Sequence, residues 1–117
     1  MTMGEQPSRA SSIDERASDW IVNSLLANPG VEERKSRFAD RAALFFRGVE
    51  FFHLDKPGLA DVRLGRKVIR SNMDALRSDP RIELRSTPSD WMQVRFRTRK
   101  DVEYVLSWAK AAIDAGG

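Results

Sequence analysis

AALFFRGVEFFHLDKPGLADVRL, the run from Ala42 to Leu64, carries most of the architecture. Ala42 to Arg47 and Val49 to Leu54 are two phenylalanine-rich segments with a turn at Gly48, the pattern of paired strands. Asp55-Lys56-Pro57-Gly58 is a turn by composition, because proline presets φ and glycine permits a positive one. Leu59 to Leu64 then alternates, with Ala60, Val62 and Leu64 on one side and Asp61 and Arg63 on the other. Strands joined by such short turns pair antiparallel, so the run predicts a meander.

Upstream, Val31 to Phe38 is a charged strand candidate suited to a sheet edge, where charge discourages aggregation. Before it, Ser12 and Glu15 have capping-box spacing and Ile13, Ala17, Trp20, Ile21 and Leu25 form a helical stripe that Asn28-Pro29-Gly30 stops. Residues 1–11 are small and polar without a period and read as a disordered tail, which leaves 12–117 as a single domain. Downstream, residues 65–78 predict a helix with Val68, Ile69, Met73 and Leu76 inward and Arg66, Arg70 and Arg77 on the other side. Asp74 is spaced to pair with Arg70 or Arg77 and quench part of that charge. Ile82 to Arg85 is a short strand, and Trp91 to Thr98 alternates cleanly. Thr98 and Asp101 suit the start of a last helix whose stripe is Val102, Val105, Leu106, Ala109 and Ile113, with Tyr104 and Trp108 packing beside it. The expected fold is α+β: an antiparallel β-sheet with helices packed on one face, in the order α-β-β-β-α-β-β-α, and the other face at least partly uncovered.

The 117 residues are enough for one ordinary domain, and the absence of cysteine excludes disulfides, thiolate metal sites and cysteine nucleophiles. A cysteine-free chain without an apolar membrane or signal segment fits a cytoplasmic protein that does not enter a membrane. The formal charge is only +3, but residues 63–100 hold eleven Lys or Arg against four acids, so the basic charge is concentrated in one half.

Pro29-Gly30-Val31-Glu32-Glu33, the glycine-turn hairpin into Val49-Glu50-Phe51-Phe52-His53, Ala60-Asp61-Val62, Asp90-Trp91-Met92-Gln93-Val94 and the helix opening at Asp101-Val102 together resemble a small bacterial "luciferase-like" domain family. The spacing is also similar to MmcQ/YjbR-type domains, although Asp90 stands before Trp91 where that type has glycine, and Arg47-Gly48-Val49-Glu50 stands where it tends to carry a lysine. Both resemblances imply a sheet with packed helices, and neither supplies a reaction. For the second type, a role in DNA binding is an argument from fold alone.

His53 is the sole histidine, and an antiparallel neighbour strand puts Asp61 on its face, a pairing the first resemblance also implies. A His–Asp hydrogen bond fixes the tautomer and raises the pKa, which is the one arrangement here that a general base could use. No metal-ligand spacing and no flavin or nucleotide fingerprint occurs, so no metal and no cofactor is expected. The sheet face that helices leave open offers Phe51, His53, Asp61, Arg63, Arg85, Trp91, Arg95 and Arg97 as candidate binding residues. Arginine with exposed aromatics grips nucleic acid through phosphate pairing and base stacking, and it equally serves protein interfaces. The reading is therefore a non-catalytic binding module, monomeric or weakly dimeric. Its partner stays open between nucleic acid and protein, with a small-molecule enzyme built on His53 and Asp61 as the other alternative.

Overall fold

A computed structural model describes residues 9–36 and 42–116. Helix α1 (Arg9–Leu26) leads into strands β1 (Val31–Lys35), β2 (Ala42–Phe46), β3 (Val49–Lys56) and β4 (Leu59–Arg63). Two short helices, α2 (Arg66–Ser71) and α3 (Met73–Arg77), precede β5 (Ile82–Leu84), β6 (Trp91–Arg95) and α4 (Arg99–Gly116). The strands form one antiparallel sheet in the order β1-β2-β3-β4-β6-β5. The fold is thus the α+β class read from the sequence, with the charged segment at Val31 supplying a fourth strand before the helices, at an edge.

Local chemistry accounts for most of the boundaries. Arg47 and Gly48 both have positive φ, 53° and 82°, which closes β2 onto β3 with a two-residue turn whose twist matches the strands. Asn28 ends α1 by donating its side-chain amide to the carbonyls of Ser24 and Leu25 at 3.2 and 3.1 Å. At α4 the Asp101 amide donates to Thr98 Oγ1 at 3.2 Å while Asp101 Oδ2 accepts from the Thr98 amide at 3.1 Å, a reciprocal capping box.

Two helices differ from the sequence reading. Helix α1 already begins at Arg9, so Ser12 and Glu15 lie within it and not at its start. Residues 1–8 of the expected tail, and residues 37 and 38 of the first strand candidate, lie outside the described residues. The helix expected over 65–78 is broken at Asn72, whose φ of −113° leaves the helical range. Its side-chain amide donates to the Val68 carbonyl at 2.8 Å, the local competition with the helix ladder that asparagine favours.

All four helices pack on one sheet face. Ile21 and Leu25 of α1, Leu76 of α3 and Val105 and Ala109 of α4 join Leu44, Phe52, Val62, Met92 and Val94 of the sheet in one buried cluster. Tyr104 and Trp108 meet edge to face with centroids 6.2 Å apart and pack against this core, as their spacing suggested.

Candidate functional site

A β-bulge decides what the other sheet face contains. Leu44 pairs with Phe52, but Phe45 pairs with Glu50, so Phe51 is the extra residue of β3. Phe51 and Phe52 both enter the core cluster, with ring centroids 6.5 Å apart, and Glu50 is thereby turned to the side of His53. Strict alternation had placed Phe51 outside beside His53. The bulge reverses that assignment: Phe51 is buried in the core and unavailable to a partner on the open face.

His53 lies between two carboxylates. Its Nδ1 is 2.9 Å from Glu50 Oε2 and its Nε2 is 2.9 Å from Asp61 Oδ2, the directly opposite residue on β4. Ser36 Oγ donates to the same Glu50 oxygen at 2.7 Å. The histidine is only 8% exposed and the two acids 4% each, so this is an interior polar network and not a wet surface pair. An ionised carboxylate can only accept, and only the imidazolium donates from both nitrogens, so the charged ring satisfies the geometry. Burial pulls the His53 pKa down, but the hydrogen bonds and charges of Asp61 and then Glu50 outweigh it and hold the ring above its ordinary value. Trp91 covers the ring with a centroid distance of 5.2 Å.

As chemistry, this arrangement is closed. A general base needs a free nitrogen within reach of a substrate proton, and both nitrogens here face acids in the protein interior. Among the described residues no group of three or more histidine and acidic side chains is placed to hold a metal.

The arginines of this face are largely neutralised. Arg63 Nη2 lies 3.5 Å from Asp90 Oδ2, Arg85 Nη2 lies 3.8 Å from Asp61 Oδ1, and Arg95 Nη2 lies 3.6 Å from Glu83 Oε1. Asp61 Oδ1 is buried and has no hydrogen-bond partner among the described residues, and the Arg85 guanidinium lies near it. Arg97 is exposed beyond the end of β6. Of the eight sequence-derived candidates, then, His53, Asp61, Arg85 and Trp91 are brought together, Arg63 and Arg95 are paired beside them, Phe51 is in the core, and Arg97 stands apart.

A second concave region lies on the helix side of β5. Arg66, Ile69 and Arg70 of α2, Met73, Leu76 and Arg77 of α3, strand β5 and the segment from Arg85 to Trp91 enclose a cleft of about 530 Å³. The Arg66 amide donates to Asp90 Oδ1 at 2.9 Å and the Gly65 amide to the Asp90 carbonyl at 2.9 Å, which ties that segment to the start of α2. Asp74 was expected to pair with Arg70 or Arg77, yet neither ion pair forms, and among the described residues no acid lies within ion-pair distance of the Arg66, Arg70 or Arg77 guanidinium. Helical periodicity puts these arginines on the helix surface but does not show the cleft, because its floor comes from β5 and its far wall from the segment after it.

Fold and site together define a small α+β domain with a sealed polar network on one sheet face and an arginine-rimmed cleft on the other. The chain belongs to the Luciferase domain family, whose model matches residues 48–112, more than half of its length. That stretch includes Glu50, His53, Asp61 and every residue of the cleft. Neither the curated proteins nor the solved structures contain a match to the chain.

Proposed function

We propose that this chain is a non-catalytic binding module and that it binds through the cleft between α2–α3 and β5, not through the open sheet face. The single observation behind this reading is the difference in pairing: Arg66, Arg70 and Arg77 of α2 and α3 rim the cavity with no acid within ion-pair distance among the described residues, while Arg63, Arg95 and Arg85, the last also a lining residue, are each matched with an acid. Ligand sites are concave, mostly apolar and furnished with a few convergent polar groups, and a volume of roughly 300–1,000 Å³ is usual for them. A cavity of about 530 Å³ falls inside that range. The closed state of His53 favours binding over turnover, since the one histidine has no free nitrogen to offer.

The test is a ligand-observed NMR screen of a fragment library against the protein, repeated with Arg70→Glu/Arg77→Glu and with Arg95→Glu/Arg97→Glu. Hits should be lost with the first pair and kept with the second. Hits that vanish only with the second pair would move the site to the sheet face and overturn the assignment.

A further inference from the structure

The cleft has two chemically distinct parts, and together they point to one class of ligand. We infer that it takes a small organic phosphate monoester, with the phosphate at the Arg66–Arg70 end and an apolar body along Ile69, Met73, Leu76 and Leu84. This inference rests on the cleft being the binding site. Arg66 and Arg70 are one helical turn apart, so their guanidinium groups can close on a single anion. Arginine's planar fork matches phosphate oxygens, and no acid of the described residues competes for either side chain. Ser89 belongs to the same lining, with its Oγ accepting from the Trp91 amide at 3.1 Å, and its loop is held at the start of α2 by Asp90.

The remaining floor is apolar. Ile69 and Leu76 are buried members of the core, Met73 and Leu84 are half-buried, and they give the bound molecule a hydrophobic bed. A bare phosphate would leave that surface wet, and a neutral hydrocarbon would make no use of the two exposed arginines at the rim. An amphiphilic monoester satisfies both, because burial of its body adds the hydrophobic term and its dianionic head, about −1.5 to −2 at neutral pH, adds charge-assisted hydrogen bonds. A half-open cleft between two helices, a strand and a returning segment has the dimensions of a single small molecule, which favours a free monoester over a bilayer surface.

The experiment titrates the full chain with monomeric dodecyl phosphate, inorganic phosphate and dodecyl maltoside, reading backbone amide shifts by NMR. Dodecyl phosphate should move the amides of Ile69, Arg70, Leu84 and Ser89. Arg66→Gln/Arg70→Gln should weaken it about tenfold or more, since charge-assisted bonds are removed. Met73→Gln should weaken dodecyl phosphate while leaving any weak inorganic phosphate binding as it is. Equal affinity for inorganic phosphate, or equal binding of the maltoside, would overturn the amphiphile class. Binding only to phosphatidic acid vesicles and not to the monomeric probe would overturn the free-molecule assignment. If dodecyl phosphate fails but library fragments still shift cleft amides, the ligand class is wrong and the cleft reading stands. If nothing shifts the cleft, both fall.

Discussion

The two sides of this sheet hold similar residue types and use them in opposite ways. Around His53, cations and anions are matched inside the protein: Glu50 and Asp61 hold the imidazolium, and Arg85 reaches the remaining Asp61 oxygen. Around α2 and α3, three arginines rim a cavity of mixed polar and apolar lining, with no acid of the described residues within ion-pair distance. Charge buried in a matched network is committed to its partners, whereas unpaired charge at the rim of a cavity is available to a ligand. Counting charges along the chain does not separate these cases. The basic segment from Arg63 to Lys100 contributes residues to both.

The comparison breaks most visibly at the buried network. Replacing His53 with leucine leaves Glu50 and Asp61 facing an apolar side chain, and removal of one member of a buried ionic set costs about 3–5 kcal/mol. Urea denaturation of His53→Leu measures this directly. A loss below about 1 kcal/mol, the range of exposed ion pairs, would mean that the network is solvated and the contrast with the cleft is false.

A smaller effect comes from pH. The folded protein holds the His53 proton above the ordinary histidine value, so it binds that proton more tightly than the unfolded chain does. The stability this adds is complete below the unfolded pKa of about 6.5 and is lost as pH rises through the folded pKa. Since His53 is the only histidine, its ring resonances titrate without overlap, and their midpoint should lie above about 6.5. A midpoint below that value would show that burial has won and that the ring is neutral at physiological pH.

The smallest effect sharpens the other side. Arg70→Gln with Arg77→Gln should change stability by no more than about 0.5 kcal/mol, because neither side chain has an acid partner to lose. A clear loss in thermal unfolding would show that these arginines already serve the fold, leaving less of their charge for a ligand.

How much of the site was legible follows from the periodicities involved. The His53–Asp61 pair could be read as far as a shared face, because both residues lie on successive antiparallel strands joined by a short turn; their direct pairing depends on the register shift between Leu54 and Lys56. Glu50 could not, since strict alternation sends it to the core with Phe52, and only the extra residue at Phe51 turns it back. A run of Val-Glu-Phe-Phe-His, with an acid where the core should be, was the one available hint of a bulge. Trp91 was placed on the correct strand, but its position over His53 needed the pairing of β4 with β6 across the intervening helices.

Composition, turn chemistry and hydrophobic period determined the element types, the antiparallel meander, the edge position of the charged first strand, the last helix with its cap and the core stripes. These are local quantities, set by residues within a few positions of one another. The tertiary structure alone decided which charges are buried and matched, and which line a cavity. Pairing and enclosure depend on residues far apart in the chain: Arg85 reaches back to Asp61, and Asp90 ties its loop to Arg66. A bulge, a helix break at Asn72 and a loop crossing back to α2 are each small locally, yet they set which face a charge sees, and so what it can bind.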